Sequence, residues 1–252
     1  LVMLPLLAWR GLLGQMVANW KSILLISLFT SAIPFACFAF AVLHITTGLS
    51  AILNATSPMF AALVAWLWLG QRLTAWRVVG IVIGFLGVVL LAGAQAALKG
   101  DAIWLSVLSV LACLLAALCY GASGNVVKER MPHLHPWVIA GGTMLGATLW
   151  LAVPSALTWP AAAPSNQAWG AMAIAGVACS AVAFMLYFEL MQRVDMIRTS
   201  SVTYLITVFA LVYGVLFLDE RITPWMLFCG AVVLIGTALA TGLIKRKEPS
   251  AV

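Results

Sequence analysis

The chain has 252 residues, 64% of them hydrophobic and only 8% charged, with a formal net charge of +6 and a mean hydropathy of +1.12. Soluble domains carry roughly 25% charged residues, so this composition cannot cover a water-facing surface and excludes a soluble globular protein. The basic residues form no continuous stripe, which excludes nucleic acid as the reason for the positive charge.

The natural unit of organisation is a membrane span of about 20 apolar residues. A partial span covers about residues 1–18, and full ones cover about 22–44, 46–70, 76–97, 102–127, 136–158, 168–192, 196–218 and 224–244. Apolar sequence begins at residue 1 without the charged start and small-residue cleavage site of a signal peptide. The expectation is therefore a helix whose beginning lies upstream. An all-α membrane protein follows, because in lipid a helix satisfies its own backbone hydrogen bonds.

Charge sets an expected orientation. With the C-terminal Lys245, Arg246 and Lys247 in the cytoplasm, Arg10, Lys21, Arg72, Arg77, Lys128, Arg130, Arg193 and Arg198 fall on the same side. Only Lys99 and Arg221 fall opposite. This bias predicts a multi-pass protein of the inner (plasma) membrane with a cytoplasmic C-terminus. Trp9, Trp20, Trp76, Trp137, Trp159, Trp169 and Trp225 lie near span ends, as an interfacial aromatic belt requires.

Cys37, Cys113, Cys119, Cys179 and Cys229 all sit in apolar runs with no CxxC or cysteine–histidine pattern. They read as buried small side chains. No metal site and no cofactor are expected.

Shifted by 149 residues, the chain meets itself without a gap. Trp20 falls on Trp169, Phe35 on Phe184, Phe60 on Phe209 and Gly87 on Gly236. The helix-end sequence Leu69-Gly70-Gln71-Arg72-Leu73-Thr74-Ala75-Trp76 falls on Leu218-Asp219-Glu220-Arg221-Ile222-Thr223-Pro224-Trp225. The register implies two copies of five helices, of which about nine spans are present: a first copy over 1–97 and a second over 98–252. Five is odd, so the second copy inserts upside down. Inverted repeats with a site near the midplane are a transporter architecture.

The helix-end motif, the run Ala51-Ile52-Leu53-Asn54-Ala55-Thr56-Ser57-Pro58, and Ser201-Val202-Thr203-Tyr204-Leu205 resemble EamA-type domains of the drug/metabolite transporter superfamily. The resemblance covers essentially the whole chain as a tandem pair. It implies a ten-helix inverted-repeat (5+5) fold, no enzymatic activity, and export of amino acids or similar small metabolites through a central cavity. The sequence departs from the pattern at Gln71, where the first motif usually has glutamate; Glu220 keeps it in the second. Thr207 stands where the first copy has Pro58.

Asn54 and Pro58 share a face near the middle of the span 46–70. Proline has no N–H and is expected to free the carbonyl one turn earlier, that of Asn54. An amide beside a free carbonyl can bind a polar solute; the alternative is an interhelical contact. Thr203 and Thr207 are the copy-related positions, with Tyr204 adjacent. Phe38 and its counterpart Tyr187, together with Tyr120, complete the expected substrate-binding set as apolar walls, or else simply pack. Glu189 is the acid inside a span, a candidate for proton coupling or the i, i+4 partner of Arg193. His44 is expected at an interface, and His133 and His135 in a loop.

Gly142 with Gly146, and Gly80 with Gly84, form GxxxG pairs that permit close helix packing or a homodimer face. No acid or arginine sits at a span centre, so a neutral or zwitterionic small-molecule substrate is expected. Two other classes stay open beside transport. One is a receptor or scaffold lacking a hydrated cavity. The other is an intramembrane serine protease, since Gly121-Ala122-Ser123-Gly124 resembles a rhomboid GxSG. Ser123 and His44 are expected at opposite helix ends, too far apart for nucleophile and base.

Overall fold

The computed structural model describes residues 2–98, 103–160, 163–194, 196–220 and 222–243. Lys99, Asp101, Arg221 and the basic cluster Lys245–Lys247 lie outside the described residues. The described chain is all helix and connecting turns. Seven helical segments are long and apolar enough to cross a membrane: Trp20–Ala41, Thr47–Trp68, Ala75–Gly93, Trp104–Arg130, Pro136–Leu157, Asn166–Arg193 and Pro224–Thr241. A shorter apolar helix covers Val202–Leu218. Each matches a span read from the sequence. The partial span 1–18 is two short helices, α1 (Met3–Trp9) and α2 (Leu13–Ala18), broken where Gly11 takes φ 67°.

Several spans are not uniform α-helix. The first continues from α3 (Trp20–Ser27) through a wide π-helical turn, Leu28–Ala32, into α4 (Ile33–Ala41). The expected span 46–70 is two half-helices, α5 (Thr47–Asn54) and α6 (Ser57–Leu69). Next come α7 (Ala75–Leu98), α8 (Ile103–Arg130), α9 (Pro136–Leu157) and α10 (Asn166–Ile174). A second π-helical stretch, Ala175–Val182, leads into α11 (Ala183–Arg193), followed by α12 (Met196–Leu218) and α13 (Pro224–Thr241). The 149-residue shift carries Thr47–Leu69 onto Met196–Leu218, the start of α7 onto the start of α13, and the first π turn into the second.

The chain divides into two compact units. One comprises Leu1–Ala36 and Val126–Thr199, the other Cys37–Asn125 and Ser200–Val252. Each unit draws on both halves of the sequence.

In the first unit α9 is the hub, packed by α1, α2, α3 and α11. Leu7, Ile23, Val138, Ile139 and Phe188 form its buried core. The GxxxG of α9 receives α3: a Cβ at Gly142 would fall 2.5 Å from Ile23 Cγ2, and one at Gly146 would collide with Ser27 Oγ. Close approach within the chain accounts for both glycines.

In the second unit the largest helix–helix contact joins α7 and α13. Here the inversion is visible. Gly80 lies against Leu239 and Ala240, Gly84 against Gly236, and Gly87 against Val233. The partner number falls as the residue number rises, so the helices are antiparallel. The shift carries Gly87 onto Gly236 and Gly84 onto Val233, so the contacts Gly87–Val233 and Gly236–Gly84 exchange with each other. Two copies of one helix running oppositely through a self-complementary contact is what an inverted repeat produces. A buried cluster of Leu49, Ile52, Leu53, Leu91, Cys113, Cys229 and Val233 fills the same unit.

Candidate functional site

Asn54, Pro58, Thr203, Tyr204, Thr207, Phe38 and Tyr120 all belong to the second unit, whereas Tyr187 and Glu189 belong to the first. Of the first group, Asn54 and Pro58 flank the break between α5 and α6, and Thr207 reaches α5 from α12. The chain leaves α5 at Asn54, turns through Ala55 and Thr56, and re-enters helix with Pro58 in the first turn of α6. A proline is tolerated there, because a first-turn N–H has no intrahelical partner.

A broken helix exposes carbonyls, and in lipid each must find a donor. Here hydroxyls supply them. Thr56 Oγ1 donates to Leu53 O (2.6 Å), and Ser57 Oγ donates to Asn54 O (2.6 Å). Thr207 Oγ1, from α12, reaches Ala51 O (3.2 Å) as well as its own Thr203 O (3.0 Å). Ile52 O is taken by Ala55 N. The expectation that Pro58 leaves the Asn54 carbonyl free is therefore corrected: Ser57, the residue before the proline, occupies it. What remains is the Asn54 side chain. Its Oδ1 lies 3.1 Å from Ser57 Oγ, whose one proton is directed at the nearer Asn54 carbonyl. Its amide nitrogen has no hydrogen-bond partner among the described residues, and it is half-buried. The break thus presents an uncommitted amide donor.

In the same unit Phe38 stacks on Tyr120, with ring centroids 6.2 Å apart and planes 24° apart. Tyr204 has a buried hydroxyl without a well-formed hydrogen bond; its polar neighbour Thr241 donates to the carbonyls of Thr237 and Ala238. In the first unit Tyr187 meets Phe188 edge-on at 5.6 Å and is partly exposed. Glu189 pairs with Arg193 one turn on, as the i, i+4 spacing suggests, beside a cavity of about 350 Å³ that Arg10, His135, Trp137 and Gln192 also line.

Glu220 was visible in the sequence only as part of the repeated helix-end motif. In the structure its Oε1 accepts from Thr47 N (2.6 Å) and Thr47 Oγ1 (2.8 Å), and its Oε2 from Gly48 N (3.1 Å). These are orphan donors at the start of α5, where a carboxylate also meets the positive end of the helix dipole. Gly48 and Gly214 make the slot, since a Cβ on Gly214 would stand 2.6 Å from Oε2.

The rhomboid-like run has a different use. Gly121 lets α8 approach α6, a Cβ there falling 2.5 Å from Ala61 N, and Asn125 Nδ2 donates to Ala61 O (2.9 Å). Ser123 is buried and donates to Tyr120 O (3.2 Å). Among the described residues no group of three or more His, Cys, Asp or Glu side chains could hold a metal ion.

Span-length apolar helices, a break capped by hydroxyls and copy-related antiparallel helices define a multi-pass membrane protein of transporter architecture. The chain belongs to the EamA-like transporter family, whose sequence profile matches residues 1–93 and 107–242. Members of that family are transporters and not enzymes. The "uncharacterized transporter YvbV" of Bacillus subtilis (strain 168) is 24% identical over 215 residues, covering 82% of this chain and 67% of that protein. The "probable terminal-alkyne amino-acid exporter" of Streptantibioticus cattleyicolor is 25% identical over 257 residues, covering 98% of this chain and 77% of that protein. A solved crystal structure 22% identical in sequence has the same fold, with a TM-score of 0.70 over 99% of this chain and 85% of that one.

Proposed function

We propose that the protein is a secondary transporter that exports small neutral or zwitterionic metabolites, amino acids among them, by alternating access of its two inverted repeats. The observation that carries this reading is the Asn54 amide at a helix break whose carbonyls are already taken. An uncommitted donor at such a break suits an acceptor group on a solute, such as a carboxylate or carbonyl. The amino-acid exporter named among the relatives points the same way. Phe38, Tyr120, Thr203, Tyr204 and Thr207 are the further candidate residues of the same unit; Tyr187, the remaining candidate, belongs to the other unit. The bilayer is that of the inner membrane with the C-terminus cytoplasmic, from the bias of basic residues.

Purified protein in vesicles loaded with radiolabelled neutral amino acids tests the reading. Efflux faster than from empty vesicles, saturating with concentration and competed by unlabelled solute, is expected. Absence of flux for neutral, cationic and anionic amino acids alike would favour a receptor or scaffold.

A further inference from the structure

The turn that presents Glu220 to α5 has a copy-related counterpart at Gln71. Gly70 and Asp219 are copy-related, and both turn with positive φ, 65° and 51°. The next residues, Gln71 and Glu220, donate their backbone N–H to copy-related carbonyls, Gln71 N to Ala65 O (3.2 Å) and Glu220 N to Gly214 O (3.0 Å). The same backbone device thus presents a side chain from each motif. One carries a carboxylate fastened by three hydrogen bonds. The other carries a neutral amide, and Gln71 is exposed.

The fastened element is a half-helix of eight residues, with Asn54 at its other end. At 1.5 Å per residue the two ends are about 10 Å apart. A half-helix that short is not held by its own backbone bonds. Its position is set by the buried side chains of Leu49, Ile52 and Leu53 together with what grips its ends: Glu220 at the N-terminus, and the Thr207 hydroxyl near the C-terminus.

We infer that Glu220 is a positioning residue whose carboxylate clasps the N-terminus of α5, shutting this end of the unit and fixing the half-helix that bears Asn54. Opening this end requires the clasp to release. A carboxylate suits this task because it accepts from both the backbone and the hydroxyl of Thr47 while neutralising the helix end. The consequence for transport rests on the reading proposed above; the clasp itself does not.

The test reads α5 directly. In a variant freed of its five cysteines, Ser50→Cys places a thiol one turn into α5 at a position 6% exposed. Ser109→Cys on α8, also buried, serves as the control. Labelling by a water-soluble maleimide in detergent should be slow at both positions with Glu220 present. Glu220→Gln should speed labelling at position 50 about tenfold, as expected for loss of roughly one charge-assisted hydrogen bond, and leave position 109 unchanged. Thr47→Ala, which leaves Glu220 in place, should act in the same direction, and Thr47→Ser should restore the slow rate. This pair decides the matter if Glu220→Gln does not fold. Unchanged labelling at position 50 in Thr47→Ala or in folded Glu220→Gln overturns the inference. Equal acceleration at both positions overturns it too, because that marks general loosening. Labelling needs no substrate, so a failure to find flux leaves this result readable.

Discussion

Gly236 and Gly84 pack backbone to backbone across α7 and α13, with a Cβ on Gly236 meeting the Gly84 Cα at 2.6 Å. The copy-related contact, Gly87 on Val233, repeats the arrangement one turn away. Gly236→Ala should therefore reduce folded yield, since overpacking costs about 1–3 kcal/mol. Gly93→Ala, on the same α7 but with nothing within 4 Å of its Cβ, should be neutral or slightly stabilising. Size-exclusion yield and thermal unfolding in detergent compare the two. Equal tolerance would contradict the close contact.

Gly70 has φ 65° and open space around its Cβ position. Gly70→Ala should lower stability by about 1 kcal/mol through backbone conformation alone. Asp219, at φ 51°, already carries that cost in part, so Asp219→Gly should be neutral or stabilising. Thermal melts of the two variants should shift in opposite directions or, for Asp219→Gly, not at all.

Asn54→Ala removes the donor at the break and leaves the Ser57 bond to the Asn54 carbonyl intact. Flux per folded molecule should fall about fivefold, the equivalent of roughly one neutral hydrogen bond, with little change in melting temperature. A lower melting temperature with normal flux per folded molecule would assign Asn54 to packing.

Glu189 is engaged by Arg193 at the end of its helix. Glu189→Gln should retain transport at close to the original rate, since exposed pairs of this kind contribute little. Complete loss of proton-dependent flux at normal expression would instead make Glu189 the coupling acid.

A fluorescent reporter that matures only in the cytoplasm, fused at the C-terminus, should be bright, because eleven of the thirteen Lys and Arg residues then face inward. Activity of a periplasm-restricted reporter at the same end would reverse the orientation.

The spans were legible in the sequence because lipid makes the same local demand of every segment: a run of apolar residues closing its own backbone bonds. The repeat was legible from the helix-end motif, and the inversion from the odd number of helices it implied. The candidate site was legible only in part. Asn54 and Pro58 marked a disturbance in the span 46–70, but local reasoning from the proline assigned a free carbonyl that Ser57 in fact occupies.

The sequence by itself determined the membrane class, the spans, the two copies and the resemblance to one transporter family. Each depends on hydropathy and motif spacing along the chain. Only the tertiary structure decided which distant groups close the broken helix: Thr207 reaches Ala51 across 156 residues, and Glu220 reaches Thr47 across 173. It also decided that α3 fills the GxxxG of α9 and that α7 meets its own copy in α13. The physical reason is that a hydrogen bond or a close helix approach belongs to a pair, and one sequence names the members of every pair without saying which of them meet.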